Sequence, residues 1–354
     1  MTKLTLTTLA WFKSYLTSRE QFVNVEGGMS SRRSLLRGVP HGSVLGPLLY
    51  RVYTAPIADI SKKHDLLYHL YADDTQLYIS FNTDCCADLD EAKLRVERCV
   101  EEIDLWMCKN LLKLNQDKTE LVVISSKFRN RPNLEYVRVG DEFIAPNLSV
   151  RNLGVIMDNC FCMEQHVKKI CSEANYHLRN ISKIRKYLTQ DSAQILIHAF
   201  ISSKLDYCNS LLYGIPKYLV CRLKRVQNTA ARTVTLTRKY DSITPIMFKL
   251  HWLPVHSRII FKLLLLVYKA LNGKAPSYIS SLLSHRKCSR SLRSSGQELL
   301  TVPLAKLKTY GDRAFSIAAP RQWNSLPLSI RKSPSIAIFK RHLKTYLFIE
   351  AYGF

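Results

Sequence analysis

The second half of this sequence has few acidic residues. Residues 151–354 contain 9 Asp and Glu against 33 Lys and Arg, whereas residues 1–150 contain 19 of each. The whole formal net charge of +24 therefore lies in the second half. A folded segment this basic repels itself unless it meets a polyanion. Nucleic acid is the leading partner on these grounds, and an anionic membrane surface is the alternative.

Long hydrophobic runs are also absent. The longest lies around residues 263–267, which is far too short to cross a bilayer. The apolar opening at residues 4–12 stops at Lys13 and lacks the small-residue exit of a secretory signal peptide. The ten cysteines are scattered, which predicts reduced thiols. We therefore expect an intracellular protein that is not secreted and has no membrane partner, with nucleus or cytoplasm left open.

A zinc site has weak support in this sequence. Cys160, Cys162, His166 and Cys171 supply suitable ligand types, but their spacing matches no common zinc finger. No second Cys-x-x-Cys pair accompanies them. We expect no zinc.

Apolar residues make up 47% of the chain, which predicts a globular protein, and the length of 354 residues allows two or three domains.

Two adjacent carboxylates, Asp73 and Asp74, lie between apolar arms at residues 67–71 and 75–79. The arms are rich in Leu, Tyr and Ile and alternate as strands do, so we predict a β-hairpin with the carboxylates at its tip. A solvated turn is the alternative, because Asp favours turns. Paired carboxylates suit Mg²⁺ (or Mn²⁺), which takes carboxylate and phosphate oxygens.

Two further blocks accompany Tyr71-Ala72-Asp73-Asp74. Upstream, residues 37–49 read RGVPHGSVLGPLL, and downstream, residues 110–120 read NLLKLNQDKTE. In this order and spacing the three blocks closely resemble the palm of reverse transcriptases from non-LTR (LINE-type) retrotransposons. Late segments around residues 252–254, 310–315 and 323–327 resemble the same group, so the resemblance covers nearly the whole chain.

The resemblance implies roles for individual residues. Asp73 and Asp74 would be catalytic metal ligands, and Lys118 would protonate the departing pyrophosphate, although a surface lysine is the alternative for Lys118. Template and nucleotide contacts would come from Gly38, Pro40, His41, Gly42, Ser43, Tyr71 and Ala72. The family usually has Gln where this chain has His41. The primer grip would be Leu153 and Gly154.

The basic helices carry a further prediction. Lysines and arginines interleaved with tyrosines suit the phosphates of a nucleic acid backbone, although any single basic helix face is more simply solvated. The predicted backbone contacts are Lys168, Lys169, Arg179, Lys183, Arg185 and Lys186.

The expected fold class is α+β, with a partial polymerase palm followed by a basic, mainly helical region. The palm would combine an antiparallel sheet with covering helices over residues 1–160. A helical thumb-like region would follow at 161–275, and a basic C-terminal tail at 276–354. Apolar periodicity predicts helices at 45–53, 85–108, 164–186, 192–207, 219–233 and 259–271, and a strand at 120–124.

One expected carboxylate is missing. In the family a third aspartate comes from a strand upstream of the glycine-rich loop, and this chain has no Asp before Asp59. Glu20 and Glu26 do not lie in a matching apolar strand. We therefore expect a reverse transcriptase fragment, truncated at its N-terminus. It would add deoxynucleotides to a DNA primer on an RNA template by two-metal phosphoryl transfer, and would be inactive alone. A non-catalytic RNA- or DNA-binding module, or a decayed retroelement relic, is the alternative.

Overall fold

The structure is a computed structural model that describes residues 6–36, 38–39, 42–82, 85–127, 132–286, 297–305, 307 and 310–353. The helices are α1 (Leu6–Leu16), α2 (Gly46–Tyr53), α3 (Pro56–Lys63), α4 (Cys86–Lys109), α5 (Glu164–Ile184), α6 (Gln190–Ile197), α7 (Ser203–Asp206), α8 (Lys217–Thr235), α9 (Ile243–Lys249), α10 (Val255–Leu271), α11 (Ser277–Ser280), α12 (Phe315–Asn324), α13 (Leu328–Arg331) and α14 (Ile336–Tyr352). The strands are β1 (Glu20–Gln21), β2 (Asn24–Val25), β3 (Gly28–Met29), β4 (Arg33–Ser34), β5 (Leu67–Tyr71), β6 (Asp74–Tyr78), β7 (Val137–Val139), β8 (Glu142–Ile144), β9 (Ser149–Asn152) and β10 (Val155–Asp158).

The strands are antiparallel, and the mixture of helices and strands agrees with the predicted α+β class. Within the described residues they form five separate pairs, β1–β4, β2–β3, β5–β6, β7–β8 and β9–β10, rather than the one sheet we expected. Each strand spans two to five residues, so each pair is a short hairpin or ribbon. Strands this short rely on packing against helices for their stability.

The strand predicted at residues 120–124 does not form. Leu121 makes an isolated parallel bridge to Pro146, and the residues after it are not in a strand. The chain divides into two compact units, and residues 122–128 belong to a different unit from Leu121. The apolar run therefore cannot pair along its length within one sheet.

The first unit comprises residues 1–121 with 129–146, and the second comprises residues 122–128 with 147–354. The domain boundaries expected at residues 160 and 275 stay predictions. The core of the first unit is small, with Ile57, Leu66, Cys99 and Ile103 at its centre. The amphipathic helix expected at 85–108 is confirmed as α4, which buries one face there.

The second unit contains the larger core. Around α5 and α8 the buried residues include Leu178, Leu219 and Leu223. Around α10, α12 and α14 they include Trp323 and Phe339. Helix α10 is buried on most sides, because nine of its seventeen residues are buried. Fully burying such side chains stabilises a fold by about 1.5–3 kcal/mol each.

The helices expected in the second unit are present, with one irregularity. The segment predicted as one helix at 192–207 begins after Thr189, whose hydroxyl accepts a hydrogen bond from the Ser192 N–H. It then runs through α6, a π-helical turn at His198–Ser202, and α7. Tyr207 ends it in an extended conformation. Across the described residues, none of the helices is long and apolar enough to span a membrane.

Candidate functional site

The predicted hairpin around the two carboxylates is confirmed. Strands β5 and β6 pair with Leu70 opposite Thr75 and Tyr71 opposite Asp74. Ala72 and Asp73 form the two-residue turn, and Asp74 is the first residue of β6. Ala72 has a φ of +52°, a left-handed conformation that costs a residue with a Cβ about 1 kcal/mol. Strain of this kind is concentrated at functional sites.

The hairpin presents its two faces differently. Leu70 and Leu77 pack against the small core of the first unit. On the opposite face Tyr71 is 65% exposed, and the rings of His69 and Tyr78 stack with centroids 5.5 Å apart. Asp73 and Asp74 are both exposed at the tip. The carboxylates are therefore open to solvent, while the inward face fixes the hairpin.

Helix α2 lies beside this tip. Burial raises the pKa of the Tyr50 phenol, and the negative charge of Asp73 raises it further. The Tyr53 hydroxyl donates a hydrogen bond of 2.5 Å to the Asn110 carbonyl, and the Tyr53 ring lies 6.2 Å from that of Trp106. Helix α2 begins in the glycine-rich block and thus brings it together with the carboxylate tip and the start of the segment at 110–120.

The glycine-rich block is fixed by contacts with Arg19 and Tyr15 that the sequence did not predict. The Arg19 guanidinium donates a hydrogen bond of 2.6 Å to the Gly38 carbonyl. The Tyr15 hydroxyl contacts the Ser43 hydroxyl, which also accepts a hydrogen bond from the Leu45 N–H. Gly42 has a φ of +77°, which only glycine adopts without strain. Pro40 and His41 lie outside the described residues.

Lys118 ends a short 3₁₀ turn, Gln116–Lys118. The Asn115 side chain caps the turn by accepting a hydrogen bond of 3.3 Å from the Lys118 N–H. The Lys118 side chain is exposed. Its role in proton transfer stays a prediction.

The donor set at the hairpin tip suits a hard divalent cation. Mg²⁺ is commonly held by one or two carboxylates, with waters and substrate phosphates completing its shell. Asp73 and Asp74 supply two exposed carboxylates on consecutive residues, without an ion pair to any described residue. Among the described residues, no third aspartate, glutamate, histidine or cysteine joins them in a ligand group. The two carboxylates therefore suit a Mg²⁺ ion, and its remaining ligands would come from waters or substrate phosphates.

The four residues weighed for zinc do not form one group. Cys160 and Cys162 cluster with Asp158, and their ligand atoms lie within 4.8 Å of one another. His166 is instead buried, and its Nδ1 accepts a hydrogen bond from the Ile156 N–H. Asp158, which the sequence did not suggest, holds the turn before α5 together. It accepts hydrogen bonds from three backbone N–H groups, those of Cys160, Cys162 and Met163.

The residues expected in the primer grip form the turn of the β9–β10 hairpin. Leu153 and Gly154 have φ values of +44° and +83°. The Tyr207 hydroxyl donates a hydrogen bond of 2.6 Å to the Leu153 carbonyl. A Cβ at Gly154 would lie 3.4 Å from the Tyr207 ring. Tyr207 therefore supports this turn, although no sequence pattern connected Tyr207 with the β9–β10 hairpin.

The basic residues predicted to contact a nucleic acid backbone differ in exposure. Lys168, Arg179, Lys183 and Lys186 are exposed and Lys169 is half-buried. The prediction for Arg185 needs correction, because its side chain is buried and 6% exposed. Its guanidinium donates to three carbonyls, those of Thr233, Leu188 and Val234, at 2.6–2.8 Å. Arg185 caps the end of α8 and has no face left for a phosphate.

Residues 1–157 match the family model of reverse transcriptases, the RNA-dependent DNA polymerases. The chain is 28% identical over 232 residues to a probable RNA-directed DNA polymerase from transposon BS of Drosophila melanogaster, covering 63% of this chain and 25% of that protein. It is 27% identical over 238 residues to the corresponding protein of transposon X-element, covering 63% and 24%. The polymerase from mobile element jockey is 26% identical over 164 residues, covering 45% and 17%.

These matches span about a quarter or less of the relatives' own length. They support the polymerase interpretation of the sequence and do not favour the non-catalytic alternative. No solved structure matches the chain.

Proposed function

We propose that this chain is a reverse transcriptase of the non-LTR (LINE-type) retrotransposons and that Asp73 and Asp74 are its metal-binding carboxylates. The match of residues 1–157 to the reverse transcriptase family model supports the proposal. The observation that carries the proposal is the β5–β6 hairpin, which presents both carboxylates to solvent at a strained turn. Reverse transcriptases generally use divalent metal ions. Mg²⁺ is our proposal for this site, with Mn²⁺ as a substitute.

The residues around the tip have separate tasks in this proposal. A bound ion would neutralise charge on the phosphates of an incoming deoxynucleotide. Asp73 and Asp74 hold and orient it, and the exposed Tyr71 and Ala72 border the same space. The loop of Gly38, Gly42 and Ser43, anchored by Arg19 and Tyr15, would lie against template and nucleotide. Leu153 and Gly154 would support the primer end, and Lys118 would donate a proton to pyrophosphate.

We assign residues 1–160 to a polymerase palm and the helices that follow to a thumb-like region and a basic tail. RNA template, DNA primer and deoxynucleotides are the proposed substrates. The net positive charge of residues 151–354 supports this, because phosphate contacts supply most of the affinity for nucleic acid. The exposed cations of α5 and its end, Lys168, Lys183 and Lys186 among them, are the proposed backbone contacts.

The tip alone is an incomplete two-metal site. Two such ions clamp the attacking and leaving oxygens, and each needs several oxygen ligands in a near-octahedral arrangement. Among the described residues, no third carboxylate, histidine or cysteine groups with Asp73 and Asp74 at the tip. We therefore propose that the isolated chain binds an ion there but extends a primer only in trace amounts, because positioning and charge stabilisation supply most of phosphoryl-transfer catalysis.

Metal binding is tested by Mn²⁺ titration of the isotopically labelled full chain. We expect paramagnetic broadening of the amide signals of Ala72 and Thr75. Asp73→Asn/Asp74→Asn should abolish it, whereas the matched exposed pair Asp59→Asn/Asp65→Asn should leave it unchanged. Equal broadening in all variants would refute the site.

Catalysis is tested separately by primer extension on an RNA template, with the Asp73→Asn/Asp74→Asn variant as a control. Extension at trace level or below is the expected result. Robust extension that the double substitution abolishes would show that the site is complete in this chain, contrary to our proposal.

A further inference from the structure

Two cavities on the second unit lie next to each other and share part of their lining. One has a volume of about 340 Å³ and the other about 220 Å³. Leu253, Arg258 and Lys344 line both of them. The walls come from α10, α14 and the π-helical turn after α6. We call this the α10–α14 groove.

The groove is lined by cations. Its positively charged or protonatable side chains are His198, His251, Arg258, Lys262, Lys340 and Lys344. Asp206 is the only acidic residue among the described lining residues. It is already paired, because Arg258 Nε lies 2.8 Å from its Oδ1 and Arg258 Nη2 contacts its Oδ2.

The three lysines have no such partner among the described residues. Lys262, Lys340 and Lys344 are exposed, and no described carboxylate lies within 4.0 Å of their ammonium groups. Unneutralised cations on facing walls repel one another, and an anion between them removes that repulsion.

One buried hydrogen-bond donor beside the groove also lacks a partner within the described residues. Trp252 is 5% exposed and its indole N–H makes no hydrogen bond. Most buried polar groups are hydrogen-bonded, so this exception calls for an explanation. Trp252 lines the groove.

The backbone is irregular at the same place. The π-helical turn His198–Ser202 places His198 on the groove wall, where its ring lies 5.3 Å from that of Trp252. Such turns occur frequently at functional sites. Burial lowers the pKa of His198, and the positive charges of Arg258 and Lys344 lower it further, against the opposing charge of Asp206. Positive charge therefore converges on this wall.

We propose that the α10–α14 groove binds the phosphate backbone of a single nucleic acid strand. The inference rests on the proposed function, since it supplies a docking site for the nucleic acid that the polymerase uses. Lys340 and Lys344 are four residues apart on α14, and Lys262 lies on α10. Lys340 and Lys344 are thus separated by about 6 Å along the helix, which lets the groove meet successive phosphates. A single small anion would leave some of these three lysines without a partner.

The packing of α14 disfavours an anionic membrane as the partner. Helices that lie on membranes bury an apolar face in the lipid. The apolar face of α14, with Phe339, Leu343 and Leu347, is already buried in the core of the second unit. What the helix offers to a partner is its row of cations.

The test uses the full chain and a fluorescent single-stranded RNA, with affinity measured across a salt series. Lys340→Gln/Lys344→Gln removes two groove cations, and Lys217→Gln/Lys274→Gln is the matched control of exposed lysines outside the groove. Each phosphate contact contributes about 0.7 to the slope of log affinity against log salt for single strands. We expect the groove pair to lower the slope by about 1.4, and the affinity at about 0.1 M salt by about 25-fold. The control pair should change either quantity little.

Equal losses in the two variants would overturn the groove and leave the polymerase proposal intact. If Mn²⁺ does not bind at Asp73 and Asp74, but Lys340→Gln/Lys344→Gln still weakens RNA binding as expected, only the proposed metal site is wrong. A further arm uses vesicles that contain phosphatidylserine. If the groove pair weakens binding to vesicles and not to RNA, the nucleic acid assignment is wrong.

Discussion

At the scale of single residues, the candidate site depends on side chains that touch the turns rather than lie in them. Arg19 and Tyr15 anchor the glycine-rich loop, and Tyr207 supports the turn at Leu153 and Gly154. The sequence assigned none of the three a role in holding a turn. Each acts through a contact between segments distant in sequence, which periodicity and spacing cannot reveal.

Tyr207→Phe tests the support of the β9–β10 turn. The substitution keeps the ring against Gly154 and removes the hydrogen bond to the Leu153 carbonyl. We expect a loss of about 1 kcal/mol of stability and faster hydrogen exchange in residues 153–157. Tyr240→Phe is the control, because Tyr240 is 93% exposed. Unchanged exchange at the turn in Tyr207→Phe would contradict the supporting role.

His166 predicts a pH dependence of stability. Burial lowers its pKa below the ordinary 6.5, as does the charge of Lys169, with Glu173 opposing. The unfolded state therefore binds the proton more readily than the folded state. This contribution to stability is complete above pH 6.5 and is lost as the pH falls below that value.

We expect His166→Gln to flatten the change in unfolding free energy between about pH 7.5 and about pH 5.5. The measurement is urea unfolding at both pH values beside the wild-type chain. Part of the dependence should remain, because the pKa of His198 is lowered as well. If the unfolding free energy of the variant changes with pH as much as that of the wild-type chain, His166 is not the source of the pH dependence.

At the scale of elements, the sequence predicted what depends on local pattern. The periodicity of α4, α5, α8 and α10 identified these helices to within a few residues. The alternating arms around Asp73 identified the hairpin, since its strands are neighbours in sequence. The strand expected at 120–124 failed, because pairing depends on a partner and the chain changes unit there.

Arg185 illustrates the same limit on a helix. Its sequence neighbours are basic, so pattern alone placed it with Lys183 and Lys186 on a charged face. Only the packing of α5 against α8 reveals that its guanidinium meets the last carbonyls of α8. Basic side chains near a helix C-terminus bond these carbonyls and interact favourably with the helix dipole.

Two neighbouring substitutions separate structure from binding on this element. Arg185→Gln should lower stability by about 3 kcal/mol, because several hydrogen bonds to a buried charged group are lost. It should not change the salt dependence of nucleic acid binding. Lys183→Gln, at an exposed position, should reduce the salt dependence of nucleic acid binding and change stability by no more than about 0.5 kcal/mol. Chemical unfolding and RNA binding across a salt series measure the two effects.

At the scale of the whole molecule, the net positive charge and the larger hydrophobic core lie in the same unit. Residues 151–354 carry the net positive charge and lie in the second unit, which also has the two larger hydrophobic clusters. Self-repulsion among like charges opposes compaction, and an extensive core offsets it. The first unit, with the carboxylate hairpin, has a net charge of −1 and a small core.

Separate cores of unequal size predict unfolding in two steps. The chain has four tryptophans, with Trp11 and Trp106 in the first unit and Trp252 and Trp323 in the second. Trp11→Phe/Trp106→Phe keeps only the tryptophans of the second unit, and we expect its fluorescence to report a late transition in urea. Trp252→Phe/Trp323→Phe keeps only those of the first unit, and its fluorescence should report an early transition. The smaller core unfolds first because it buries less apolar surface.

Core substitutions should then act on one transition each. Leu219→Ala removes a fully buried side chain of α8 and should lower the stability of the late transition by about 2–5 kcal/mol. Ile103→Ala, in the core of the first unit, should affect the early transition by a similar amount. If every probe reports one transition and both substitutions shift it equally, the two units fold as one cooperative body. In that case the carboxylate hairpin would unfold together with the helical core of the second unit and not before it.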